Sequence, residues 1–240
     1  MRGPYDAIDP PILFDQSLGN RKGTMQVRTY VFDAYGTLFD VHSAVRKHSD
    51  SLGPDGPRLS EIWRTKQLEY SWIRTLMGSY ADFWRLTEEA LDYALSATPG
   101  VDPSCRDKLL EAYWTLDCYP EVPEALARLR EKDARIAILS NGSPDMLSAA
   151  VDSAGLGGFF DAVLSVEAVK TFKTVPQVYR MVTDTFDVAP AEVSFQSSNR
   201  WDIAGAHKFG FHTVWINRAG LPNEYQNYGP SREIRDLTNL

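Results

Sequence analysis

"VFDAYGTLFD", residues 31–40, decides how the chain is read. Val31 and Phe32 close an apolar run, and Asp33 follows directly. Ala-Tyr-Gly-Thr (34–37) then has the look of a turn, before Leu38 and Phe39 turn apolar again. A short apolar, β-forming run bounded by a turn signal predicts a buried strand. Asp33 therefore stands where that strand ends. In open α/β sheets ligands bind outside the carboxyl ends of the strands, so a carboxylate in this position invites a search of the other strand ends.

Four further apolar runs can be searched: "RIAILSN" (135–141), "DAVLSV" (161–166), "EVSFQSS" (192–198) and "HTVWIN" (212–217). Between them lie helix patterns over 122–132, 143–154, 174–187 and 200–209, with Ser143 as N-cap and Pro144 at the first position of the second of these. Continuous apolar strands alternating with helices predict a Rossmann-like, doubly wound parallel sheet, an α/β fold. The first crossover is the exception. About a hundred residues separate the first strand from the second, far more than a crossover needs. "LSEIWRTKQLEYSWIRTLM" (59–77) carries apolar residues at helical spacing, and "DFWRLTEEALDYAL" and "RDKLLEAYWTL" repeat the theme. The expected organisation is an α/β core at 27–41 and 119–240, an inserted helical cap domain at 42–118 over the carboxyl edge of the sheet, and an irregular arm at 1–26.

Composition narrows the function classes. The chain has 240 residues, 25 basic and 32 acidic, for a net charge of −7. That balance argues against a nucleic-acid or anionic-membrane surface and leaves room only for a local basic pocket. No apolar stretch reaches membrane-spanning length. Cys105 and Cys118 fit neither a disulfide framework nor a zinc site; they read as packed thiols in a reducing, cytoplasmic setting. His42, His48, His207 and His212 lack metal-ligand spacing, and His42 reads as a turn or cap residue. The arm at 1–26 has no basic start followed by an apolar run and is expected to carry no chemistry.

Collecting the strand ends gives Asp33 and Thr37 from the first, Ser140 and Asn141 from the second, and Lys173 after the third. The fourth gives Ser197, Ser198, Asn199 and, one helical turn on, Asp202. Singly, each has a plain reading: Asp33 and Thr37 as turn formers, Lys173 as a solvated lysine at a helix start, Ser197, Asn199 and Asp202 as caps. Together, in this order, they resemble the haloacid dehalogenase superfamily. "FDAYGTLFDVHSAV", "WRTKQLEYSW", "LSNGSP" and "SSNRWD" are similar, within it, to the L-2-haloacid dehalogenase family.

The resemblance implies roles. Asp33 is the nucleophile that forms an ester at C2 of a small 2-substituted carboxylate. Water then attacks the Asp33 carbonyl, oriented or deprotonated by Asp202. Lys173 balances the carboxylates, while Thr37, Ser197 and Asn199 bond Asp33 or the water. Ser140 and Asn141 hold the substrate carboxylate. Arg64, in line with Leu68 and Trp72 on one helix face, stands with Asn141 around the departing group. Tyr35, Leu68, Phe83 and Trp201 form an apolar wall, although the last three read equally well as packing, and Tyr179 lies near Lys173. Superfamily phosphatases carry a second Asp where this chain has Tyr35, and a further carboxylate where it has Ser198. A hard cation needs several anionic oxygens, so no metal and no cofactor is expected.

The family also implies a homodimer. One departure is Thr174-Val175-Pro176 where the family usually has Pro-Asp-Pro; another is the added polarity of Gln196 and of Arg200, a residue expected to face solvent. The leading expectation is conversion of an L-2-haloacid to the D-2-hydroxy acid. Ring opening of L-azetidine-2-carboxylate to 4-amino-2-hydroxybutanoate is the enzymatic alternative. A non-catalytic binding protein or a magnesium-dependent phosphatase fits the motifs less well.

Overall fold

The computed structural model describes residues 27–240. The expectation for the arm at 1–26 falls outside them. Six parallel strands form one sheet in the order β3-β2-β1-β4-β5-β6: β1 Thr29–Phe32, β2 Arg135–Ser140, β3 Ala162–Ser165, β4 Val193–Ser197, β5 His212–Ile216 and β6 Arg232–Ile234. The central strands β1, β2 and β4 are buried along nearly their whole length. That is what continuous apolar runs require when helices cover both faces. The fold is α/β, as the alternation of runs indicates. β6 is the strand the pattern reading missed. Three residues at an edge, with Arg232 and Glu233 exposed, leave no apolar run to find.

Register places the strand ends side by side. Phe32 lies opposite Ile138 of β2 and Gln196 of β4. The Asp33 amide extends the ladder by one bond, donating to the Gln196 carbonyl at 2.9 Å. Chain order reverses between β1 and β4, the topological switch point where a crevice opens. Gly36 makes the turn beyond Asp33 at φ +90°, and a Cβ there would come within 3.1 Å of Ser198 Oγ. Only glycine combines that backbone with that proximity at little cost.

The helices facing the sheet are α6 Val122–Glu131, α7 Pro144–Ser153, α8 Pro176–Phe186 and α9 Arg200–Phe209, within two residues of expectation. Ser143 holds the N-cap position of α7, but its side chain makes no capping bond; Pro144 follows at the first helical position. The long first crossover holds five helices: α1 Ser43–Arg46, α2 Ser49–Leu52, α3 Gly56–Met77, α4 Phe83–Ala97 and α5 Arg106–Trp114. The chain leaves and re-enters the sheet layer through two paired segments. Asp40 N donates to Asp117 O at 2.8 Å and Tyr119 N to Leu38 O at 3.0 Å. His42 takes the N-cap position of α1, and its Nδ1 lies 2.7 Å from Ser60 Oγ. Among the described residues no helix is long and apolar enough to cross a membrane, and both cysteines are free thiols.

Candidate active site

The strand ends gather around one ammonium group. Lys173 Nζ donates to Asp33 Oδ1 at 3.0 Å and to Asp202 Oδ2 at 2.7 Å. All three residues are at least 95% buried. Burying charges this deeply is costly unless they are paired and hydrogen-bonded, and the remaining oxygens are. Asn199 Nδ2 donates to Asp33 Oδ2 at 2.8 Å, with Thr37 Oγ1 at 3.3 Å and Ser197 Oγ at 3.5 Å. Tyr179 OH donates to Asp202 Oδ1 at 2.8 Å. Tyr179 thus completes the cluster by way of Asp202, one bond removed from the lysine it was expected to neighbour.

Each group is delivered by local backbone. Asp33 continues β1, Ser197 ends β4, and Asn199 is the N-cap residue of α9. Asp202 lies in the first turn of that helix, where the amide dipoles favour a carboxylate. Lys173 sits in the segment before α8, its amide donating to Asn141 Oδ1 at 3.0 Å. The Lys173–Thr174 peptide, at the departure from the family pattern, is cis. Gly205 of α9 lets this segment close in: a Cβ there would stand 2.5 Å from Tyr179 OH and 2.7 Å from Thr174 Cβ.

Burial raises the Asp202 carboxyl to about 6, with Asp33 adding to the rise and Lys173 and Tyr179 opposing it. Burial pushes the Lys173 ammonium the other way, toward losing its proton, but Asp202 and Asp33 outweigh that and its pKa rises. Tyr179 is pushed well up by burial and then by Asp202, so it stays a donor.

Residues of the helical insertion pack against the turn that follows Asp33. Arg64 of α3, half-buried, donates from Nη2 to the Tyr35 carbonyl at 3.1 Å. The Tyr35 ring packs on Phe83 at 6.1 Å and stacks on Tyr113 at 5.8 Å. Its hydroxyl is buried with no hydrogen-bond partner in the protein. Trp201 meets Trp72 of α3 edge-on at 5.5 Å, joining the insertion to α9. Phe83 is buried and touches Phe172 as well as Tyr35, whereas Leu68 is half-buried on α3. Ser140 is fully buried, its hydroxyl accepting from Gly142 N at 3.1 Å.

One expectation is corrected outright. Arg200 does not face solvent: it is 5% exposed. Its Nε donates to Asn223 Oδ1 at 2.8 Å, and its Nη2 to the carbonyls of Tyr225 at 3.2 Å and Tyr228 at 2.9 Å. Placed between Asn199 and Trp201, Arg200 ties the loop before β6 to the start of α9. Sequence reasoning also missed Gln67, Thr87 and Tyr113, buried polar residues of α3, α4 and α5 behind Arg64. Gln67 and Thr87 sit on the buried faces of their helices, and a polar residue at an apolar position was the available signal.

Residues 27–210 match the haloacid dehalogenase-like hydrolase family model. The chain is 46% identical over 215 residues to (S)-2-haloacid dehalogenase 4A of Burkholderia cepacia, covering 89% of this chain and 93% of that one. It is 48% identical over 216 residues to (S)-2-haloacid dehalogenase 1 of Pseudomonas sp. strain CBS-3, covering 89% and 95%. Among solved structures, it resembles the L-2-haloacid dehalogenase from Xanthobacter autotrophicus with chloropropionic acid covalently bound. The TM-score is 0.80 and the identity 40%, over 88% of this chain and 96% of that one. A carboxylate at a strand end, an ammonium bridging it to a second carboxylate, and this similarity along most of the length lead to one conclusion: the chain belongs to the haloacid dehalogenase-like hydrolase family.

Proposed function

We propose that this chain hydrolyses short L-2-haloacids to D-2-hydroxy acids and halide through an ester on Asp33. The observation that carries the reading is the single ammonium of Lys173 bonded to both Asp33 and Asp202. It holds Asp33 aimed while a second carboxylate stands by for water. In the first step an Asp33 oxygen attacks C2, the carbon–halogen bond breaks, and C2 inverts as halide departs. The Arg64 guanidinium and the unpartnered Tyr35 hydroxyl face this leaving group, and Asn141 holds the substrate carboxylate with the backbone beside Ser140.

In the second step water adds to the Asp33 carbonyl carbon. Asp202 takes its proton, and the charge developing on the Asp33 oxygens meets donors already in place, Lys173 and Asn199. The ester bond then breaks on the aspartate side, and Asp202 returns its proton to the departing alkoxide, releasing the hydroxy acid with the original Asp33 oxygen and leaving the Asp33 carboxyl to lose its proton to solvent. The donor set supports chemistry without a metal. Tyr35 and Ser198 supply no carboxylates, and the Lys173 ammonium bridges the two that are present. No group of three His, Cys, Asp or Glu side chains among the described residues is disposed to hold an ion.

The same reading takes residues 42–118 as a cap domain over a core of 27–41 and 119–240. Exposed Ile73, Leu76 and Met77 on α3 support a homodimer, and the free thiols a reducing cytoplasm.

A single turnover of L-2-chloropropionate in heavy-oxygen water tests the route, with L-azetidine-2-carboxylate run beside it. The label is expected in the Asp33 side chain, with ordinary oxygen in the product hydroxyl. Label in the product while Asp33 stays unlabelled would mean direct attack by water. Turnover of the ring amine alone would replace the halide as leaving group.

A further inference from the structure

Behind Arg64 lies a chain of polar side chains that the two-step reaction does not use. Gln67 is 1% exposed, Thr87 0% and Tyr113 2%. Thr87 Oγ1 donates to the Phe83 carbonyl at 2.8 Å, so its hydrogen is committed and the oxygen can only accept. Gln67 must therefore turn its NH2 toward Thr87, at 3.0 Å. Its carbonyl then faces Tyr113, whose hydroxyl donates to it at 3.2 Å. Each link determines the direction of the next. At the end of the chain, Tyr113 has given away its hydrogen and presents only lone pairs.

Arg64 lies close enough to Tyr113 for its charge to oppose the rise that burial gives the hydroxyl's pKa. Arg64 is also one helical turn before Gln67 on α3, and its Nη2 bonds the Tyr35 carbonyl. The Tyr113 ring stacks on Tyr35 at an interplanar angle of 18°. The Trp63 indole, next to Arg64 in sequence, donates to the Thr87 carbonyl at 2.9 Å and pins α3 to α4 at the same level. Arg64 is thus held by the Tyr35 carbonyl, and the Tyr35 ring by Tyr113, whose hydroxyl Gln67 fixes.

We propose that Gln67, acting through Tyr113, is a positioning residue that fixes Arg64 and the Tyr35 ring at the leaving-group side of the site. This rests on the reading of Arg64 as the group that faces the departing halide. Packing alone does not call for it. An apolar pair of the same shape at Gln67 and Thr87 would remove the bond between those two at little cost; what such a pair loses is the acceptor that holds the Tyr113 hydroxyl, and with it the ring stacked on Tyr35.

The test compares L-2-chloropropionate with L-2-bromopropionate in wild type, Gln67→Met, Tyr113→Phe and the double variant. Chloride leaves less readily, so a displaced Arg64 costs the chloro substrate more. The ratio of bromo to chloro kcat is expected to rise about tenfold in each single variant. The double variant should be no worse than Tyr113→Phe, because Gln67 acts through it. If Gln67→Met folds poorly, Gln67→Met with Thr87→Val removes the stranded hydroxyl and takes its place. An unchanged ratio, or additive losses in the double variant, would overturn the relay while leaving the dehalogenase reading intact. A wild-type protein that releases neither halide would overturn that reading and the relay with it.

Discussion

On the sheet side of the site, Lys173 Nζ brings two carboxylates within 3.0 Å of itself, three formal charges in a space closed to solvent. On the helical side, Gln67, Thr87 and Tyr113 bury a comparable set of polar groups with no formal charge. The first region draws its strength from Coulomb attraction at low dielectric, which tolerates small movements but not the loss of a partner. The second depends on hydrogen-bond direction, which tolerates loss of charge but not misalignment. On the proposed reading, reactivity belongs to the first and aim to the second.

The largest expected effect comes from breaking the charged side. Lys173→Met leaves Asp33 and Asp202 facing each other without a counter-charge. Turnover should fall by about 10³-fold or more, the scale of losing a preorganised electrostatic partner. Stability should fall by roughly 3 kcal/mol at alkaline pH, toward the cost of stranding a buried charge. The sign with pH follows from Asp202. Its folded pKa is already raised to about 6 by burial, and removing the lysine raises it further. A carboxyl with a raised folded pKa stabilises the fold at low pH, and that contribution is lost as pH rises through the folded value. Thermal melts should therefore show the variant nearer to wild type at pH 5 than at pH 8. A loss independent of pH would mean the carboxylates are not what the lysine holds.

The helical side should break more gently. Arg64→Lys keeps the charge but loses the planar fork that bonds the Tyr35 carbonyl. Steady-state kinetics on the chloro substrate should show kcat down by about 10²-fold with a smaller change in KM. Near-normal turnover would remove Arg64 from the leaving-group side and erase the contrast between the two regions.

What could be read from the sequence follows the same division. Asp33, Thr37, Lys173, Asn199 and Asp202 were legible because a parallel sheet brings its strand ends together, whatever the side chains. Strand order and one ligand rule suffice to collect them. Gln67 and Thr87 were not, because helix periodicity says which face is buried and nothing about which polar atoms meet across it. Arg200 was misread for a related reason. Its partners are the carbonyls of Tyr225 and Tyr228 and the side chain of Asn223, a loop with no pattern to announce where it returns. β6 escaped because a three-residue edge strand has almost no apolar signature.

A moderate effect should come from pH alone. On the proposed route Asp202 takes its proton from water only after halide has left, so where ester hydrolysis limits turnover it is kcat that should fall on the acid side, by about tenfold one unit below the limb. Asp33 contributes to the raised value of about 6, and the ester form of Asp33 carries no charge. The acid limb of kcat should therefore lie below about pH 6. A limb at or above that value would show that Asp33 keeps its charge during turnover.

The smallest expected effect is none, on treatment with a chelator, and it bears on why the charged side has this composition. A divalent cation binding here would need anionic oxygens on more than one side. Asp33 and Asp202 are the two carboxylates available, and both are already bonded to Lys173. Tyr35, pushed well above its usual pKa by burial, stays neutral and offers no anion. Ser198 directs its amide to Thr37 Oγ1 at 2.8 Å, with its hydroxyl 3.3 Å from the same oxygen. A haloacid brings a single carboxylate and a leaving group that departs as a monoanion, so a monovalent ammonium and a guanidinium suffice where a phosphoryl group would call for a metal. Dialysis against EDTA, followed by halide-release assays with and without added magnesium, should leave the rate unchanged. A deep loss on chelation that magnesium restores would mean the ammonium and a metal share the two carboxylates, and the charged side would have to be rebuilt around an ion.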